Sequence, residues 1–125
     1  FEAALSHSLN EAKIELICLA GFMRVLSADF VSRWTGRILN IHPSLLPAYR
    51  GLDTHKRVLA DGVKEHGCTV HFVVPELDAG PVIAQAIVPV LDGDTEESLS
   101  ARVLIAENRL FPEALAKVAR TLTPL

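Results

Sequence analysis

Two apolar runs, Ile14–Ala20 and Arg37–Ile41, lack the polar and apolar alternation of a half-exposed strand, and glycines punctuate them: Gly21 ends the first and Gly36 precedes the second. Runs of this kind fit strands covered on both faces, as in a parallel sheet packed between helices. Between them, Ser27 is placed to N-cap a short helix that turns Phe30, Val31 and Trp34 inward. Ahead of them, Phe1, Ala4, Leu5 and Leu9 share one helical face opposite Glu2, Ser6 and Asn10, which predicts an amphipathic helix to about Lys13. Helix, strand, helix, strand is the rhythm of an α/β sheet with crossover helices.

The rhythm breaks at Pro43–Asp53, a stretch with two prolines and Gly51 but no period of either kind. Long irregular loops inside compact domains are usually functional. Thr54 is then expected to cap a helix through about Asp61, with Gly62 as its stop. Gly67–Val74 and Val82–Val90 read as strands joined only by the turn-rich Pro75–Pro81, so they form a hairpin and the sheet is mixed. Asp94 and Glu97 have capping-box spacing ahead of a long helix whose Leu99, Val103, Ala106 and Leu110 share an apolar face, with Pro112 as a kink or a new start.

Composition narrows the partners. Half of the 125 residues are hydrophobic and 22% are charged, with a net charge of -3 and no basic block to track a phosphate backbone. The apolar stretches are far shorter than the roughly 18 residues of a membrane span. Small-molecule substrates in a cytoplasmic setting, with neither nucleic acid nor membrane, are therefore the expectation. Cys18 and Cys68 lie in strand-like runs without CxxC spacing and read as buried free thiols. None of the five histidines has metal-ligand spacing, so no metal is expected.

Asn40 and His42 flank Ile41 at the C-terminal end of a predicted strand, where residues two apart face the same side. An isolated pair of this kind reads as buried and hydrogen-bonded. The irregular loop immediately after it favours a site, because open α/β sheets bind ligands at their strand ends. Asp78, in a tight-bending turn, reads on spacing alone as an Asx-turn residue. If the strand ends converge, it instead orients the imidazole of His42. His71 and Thr69 stand in the next strand, with His71 equally readable as structural or as a site residue. His55 opens a helix, while His7 and His66 read as surface residues.

The string Asn40-Ile41-His42-Pro43-Ser44-Leu45-Leu46-Pro47, with Gly51 and Leu77-Asp78-Ala79-Gly80-Pro81 after it, resembles the folate-dependent formyltransferase family. Its motif pairs an Asn-x-His-x-Ser-x-Leu-Pro strand and loop with a distant Asp-x-Gly turn, and the resemblance spans nearly the whole chain. The implied fold is a mixed, mostly parallel, Rossmann-like open sheet with flanking helices. Residues 1–125 would form a single catalytic domain, the C-terminal two-thirds of a larger one whose N-terminal strands and Gly-rich phosphate loop are missing.

The implied reaction moves the formyl group of 10-formyltetrahydrofolate, a co-substrate, to the amine of glycinamide ribonucleotide in de novo purine (IMP) biosynthesis. By this resemblance Asn40 and His42 hold the oxyanion and Asp78 accepts the amine proton. Arg24, Val25, Leu26, Val74, Glu76 and Asp78 border the folate; Gly21, Met23, Asn40, Pro43 and Glu107 border the ribonucleotide; Thr69 and His71 support the site. Without the family, Met23 reads as core and Arg24 as a surface ion pair. Asp53 and Leu104 depart from residues common in the family. A formyltetrahydrofolate hydrolase, which usually carries a second His at the Pro43 position, a methionyl-tRNA formyltransferase, which usually carries Gly there, and an inert fragment are the alternatives. A homodimer, or an N-terminal segment supplied from elsewhere, also stays open.

Overall fold

The computed structural model describes residues 2, 17–20, 27–34, 36–76 and 78–120. The helix expected up to Lys13 lies almost wholly outside them. The described elements run β1 (Ile17–Ala20), α1 (Ala28–Arg33), β2 (Ile38–His42), α2 (Thr54–Asp61), β3 (Glu65–Phe72), β4 (Val82–Pro89) and α3 (Glu96–Ala119). The strands form one sheet in the order β1-β2-β3-β4. Pairing is parallel between β1 and β2 and antiparallel in the two later pairs, so the mixed sheet and the β3–β4 hairpin are present as expected, but parallel pairing does not predominate among the described strands because β3 runs against β2 as well as against β4.

Each helix packs where its apolar face requires. Ser27 caps α1 by accepting from the Phe30 N–H, and Phe30 and Trp34 pack on Ile38 with Ile17 and Leu19. Leu39 and Ile41 point the other way, into a second cluster with Val58 of α2, Cys68, Val70 and Val88 of the sheet, and Leu99, Val103, Leu110, Ala114 and Val118 of α3. That double cover is why β2 shows no alternation. Cys18, expected to be buried, is exposed, whereas Cys68 is buried. In β1 it alternates with Ile17 and Leu19, so it faces away from α1.

Two caps differ from the spacing-based expectation. Asp53, with φ 56°, occupies the N-cap of α2 without a side-chain bond. Thr54 instead donates to the Pro43 carbonyl at 2.6 Å, tying the helix to the start of the long loop. At α3 the reciprocal capping box is Thr95 with Ser98. Asp94 is drawn off by Arg102, whose Nη1 and Nη2 reach its two oxygens at 2.8 and 2.9 Å. This fork of charge-assisted bonds outcompetes a neutral cap and holds the Asp94 carboxyl well below the usual range. Past the cap, α3 runs unbroken through Pro112.

His66, expected at the surface, is buried at 1% exposure. Its Nε2 lies 3.0 Å from Nδ1 of His55 on α2, so one ring donates while the other accepts. Burial, then the neighbouring His55 and His42, pushes His66 down to about 4, and burial lowers His55 as well.

Two predictions arise from this packing. An alanine methyl at Gly80 would strike the Phe72 carbonyl, where the turn after β3 folds back on the strand. Gly80→Ala is expected to cost about 2 kcal/mol or more in urea unfolding, as overpacking against backbone does. For His66, the unfolded ring protonates near 6.5 and the folded ring near 4, so the unfolded chain binds more protons between those values. Stability therefore falls as pH drops through that window, by about 3 kcal/mol for a shift of this size. Urea titrations at pH 7 and pH 5 should show about 2 kcal/mol of that loss, and His66→Gln should flatten it.

Candidate active site

The β2–β3 register sets Asn40 opposite His71 and His42 opposite Thr69. Directly paired residues project from the same face of a sheet, so all four side chains share the face carrying Ile38, beyond the reach of α1. The Pro43–Asp53 loop continues from them and is tied to this polar row, while Leu46 is buried and Tyr49 packs against the larger core cluster.

The hydrogen bonds determine how each group is presented. His71 donates Nδ1–H to the Phe72 carbonyl at 2.9 Å, which leaves Nε2 as an acceptor. Burial lowers the His71 pKa and keeps that acceptor available, against smaller opposing effects of the Phe72 carbonyl and Asp78. The Asn40 amide therefore turns Nδ2 to His71, at 3.2 Å, and among the described residues its second Nδ2–H has no acceptor.

His42 is 6% exposed. Its Nε2 is 2.9 Å from the Tyr49 carbonyl, which can only accept, so Nε2 carries a proton. Its Nδ1 faces Asp78 Oδ1 at 3.6 Å, an ion-pair distance longer than a hydrogen bond. The other Asp78 oxygen accepts from the Gly51 N–H at 2.8 Å. Asp78 is thus no local Asx turn: its carboxylate crosses to a loop 27 residues away in sequence. It does so from a left-handed backbone, φ 50°, a conformation that Asp tolerates better than most residues.

Asn40, His42, Thr69, His71 and Asp78 are therefore brought together. Pro43 sits at the head of the loop, half-buried; Val74 and Glu76 lie on the approach to Asp78, the first half-buried and the second exposed. Glu107 lies on α3, half-buried, where burial raises its pKa. Gly21, Met23, Arg24, Val25 and Leu26 lie outside the described residues. Among the described residues, no three His, Cys, Asp or Glu side chains are grouped to hold a metal ion. Nor is any described helix long and apolar enough to cross a membrane.

Sequence reasoning missed the Tyr49 carbonyl, the Gly51 N–H and Gln85, whose amide reaches the loop from β4. Backbone groups leave no residue-type signal. Gln85 did leave one, as the single polar side chain within Val82–Pro89.

Residues 1–115 match the family described as Formyl transferase. The chain is 59% identical over 119 residues to the trifunctional purine biosynthetic protein adenosine-3 of Gallus gallus, covering 95% of this chain and 12% of that protein. It is 52% identical over 112 residues to the phosphoribosylglycinamide formyltransferase of Escherichia coli (strain K12), covering 90% of this chain and 53% of that enzyme. The chain thus spans about half the length of the bacterial relative and a small part of the trifunctional one. The crystal structure of phosphoribosylglycinamide formyltransferase from Brucella melitensis superposes with a TM-score of 0.91 at 56% identity, covering 98% of this chain and 62% of that one. Family match and superposition agree over nearly all of the sequence, and the chain belongs to the formyl transferase family.

Proposed function

We propose that this chain carries the reacting centre of a phosphoribosylglycinamide formyltransferase, which moves a formyl group from 10-formyltetrahydrofolate to the amine of glycinamide ribonucleotide. The observation that carries the reading is that Asn40 and His42 share one face at a strand end and that the Asp78 carboxylate, from a distant segment, comes to His42 there. Relatives above 50% identity that bear this name support the choice of acceptor.

The chemistry suits the groups. The amine nitrogen attacks the formyl carbon, the carbonyl electrons move to oxygen, and the bond to the folate nitrogen then breaks. The free Nδ2–H of Asn40 donates to the oxyanion. His42 joins it through its Nε2–H, shared between the Tyr49 carbonyl that orients it and the substrate oxygen, while Asp78 holds the other side of the ring. Asp78, directly or through water, takes the amine proton, which is returned to the departing folate nitrogen. In this reading residues 1–125 belong to a single catalytic domain. The turn from Val74 through Glu76 to Asp78 borders the folate together with Arg24, Val25 and Leu26. Gly21, Met23, Pro43 and Glu107 border the ribonucleotide.

The test incubates the protein with 10-formyltetrahydrofolate, with and without glycinamide ribonucleotide. Formylated ribonucleotide is the expected product; formate released without acceptor identifies a hydrolase instead, and no consumption identifies an inert fragment. Asn40→Ala removes an oxyanion donor and is expected to lower kcat by roughly 100- to 1000-fold, the usual loss for such a group. Asp78→Ala should be at least as severe. Both should keep their circular dichroism, and near-normal turnover in either would overturn the assignment.

A further inference from the structure

We infer that Gln85 is a positioning residue for His42, acting from the neighbouring strand through the Leu46 peptide and the Tyr49 carbonyl. Gln85 pairs with Thr69 across β3–β4, and Thr69 pairs with His42 across β2–β3, so the three form one lateral row on the same face. The Gln85 amide donates through Nε2 to the Leu46 carbonyl at 2.9 Å and to Thr69 Oγ1 at 3.0 Å. Because a carbonyl only accepts, this contact also fixes which way the amide is turned.

The Thr69 hydroxyl is saturated by the same arrangement. It donates to the Ser44 carbonyl at 2.7 Å and accepts from the Leu46 N–H and from Gln85, which uses its one proton and both lone pairs. Thr69 and Ser44 are fully buried. Water cannot replace a lost partner there without reorganisation, so the contacts act as a unit. Both polar groups of the Leu46 peptide are thereby held by side chains of two different strands.

From Leu46 the restraint passes along a short loop. The Ser44 hydroxyl donates to the Ala48 carbonyl at 2.6 Å, and the Ala48 N–H donates to the Leu45 carbonyl at 3.0 Å. The next residue, Tyr49, is turned into a left-handed conformation, φ 54°, that aims its carbonyl at His42 Nε2. Its ring is pinned from the far side by the bond from its hydroxyl to Asp61 and by Arg57 lying over its face. Gln85 makes no contact with His42 itself; it fixes the near end of the segment whose far end holds the imidazole.

Gln85→Met keeps length and volume but donates nothing, and Gln85→Glu sets an acceptor against the Leu46 carbonyl. Nuclear magnetic resonance on the whole chain, labelled with nitrogen-15, reads the consequence without substrates. In both variants the Leu46 amide should exchange with solvent roughly fivefold faster, the effect of one lost net hydrogen bond, while the Val70 and Leu39 amides keep their protection. The His42 Nε2 resonance should move from a hydrogen-bonded, protonated position toward an exchange-averaged one. The kinetic arm rests on the formyl-transfer reading: kcat should fall roughly tenfold, with the KM of each substrate changed less than twofold. An unchanged Leu46 exchange rate or His42 resonance overturns the inference, as does a shifted resonance with unchanged kcat in an active protein. An unmodified chain without turnover counts against the formyl-transfer reading alone, because the resonance and exchange data still decide the role of Gln85.

Discussion

The antiparallel register of β2 on β3 is the constraint on which the rest of the site depends. It sets Asn40 against His71 and His42 against Thr69, while Leu39 and Ile41 fill the opposite face under α3. A slip by one residue would exchange the two sets, sending two polar groups into the α3 core and two aliphatic ones into the polar row. Because β2 is buried on both faces, neither set has solvent as a refuge. Core packing and chemical presentation are thus specified by the same pairing. That coupling gives the polar row a stable platform without requiring a rigid loop of its own.

The loop after β2 is held by polar bonds to surrounding elements. Thr54 fastens its first residue, Thr69 and Gln85 fasten Leu46, Arg57 reaches the Arg50 carbonyl, and Asp78 receives the Gly51 N–H. Each tie satisfies a backbone group that would otherwise be costly to cover. The result is an irregular segment with specified geometry, as a site at a strand end requires. The same ties explain why Thr54 does not cap its helix: its hydroxyl proton serves the Pro43 carbonyl instead.

How far the fold and the site are legible in the sequence depends on the range of the interaction. The covering of β2 on both faces, the side shared by Asn40 and His42, the β3–β4 hairpin and the Ser27 cap all come from spacings of a few residues. The burial of His66 is hidden because it depends on His55 from another element, and the Asp94 cap misleads because Arg102 lies a further two turns along α3. The Asp78 turn shows its bend but not its target, since the Gly51 N–H is brought to it only by the pairing of β3 on β2. Local periodicity reports faces and ends; it carries no record of which distant carbonyl a side chain will meet.

Long-range closure of this kind has its largest effect at Asp78. One carboxylate oxygen holds the loop at Gly51 and the other faces His42, so the loop, the turn and the imidazole are linked through a single residue. Its left-handed backbone is held in place by the turn around it, where Gly80 lies too close to the Phe72 carbonyl for any side chain. Strain at such a position persists only where neighbouring structure over-determines it. Here the hairpin supplies that determination from one side and the tied loop from the other. The orientation of His42 is therefore a property of the assembled sheet, and any change that loosens the β3–β4 turn acts on the imidazole even when it lies far from it in sequence.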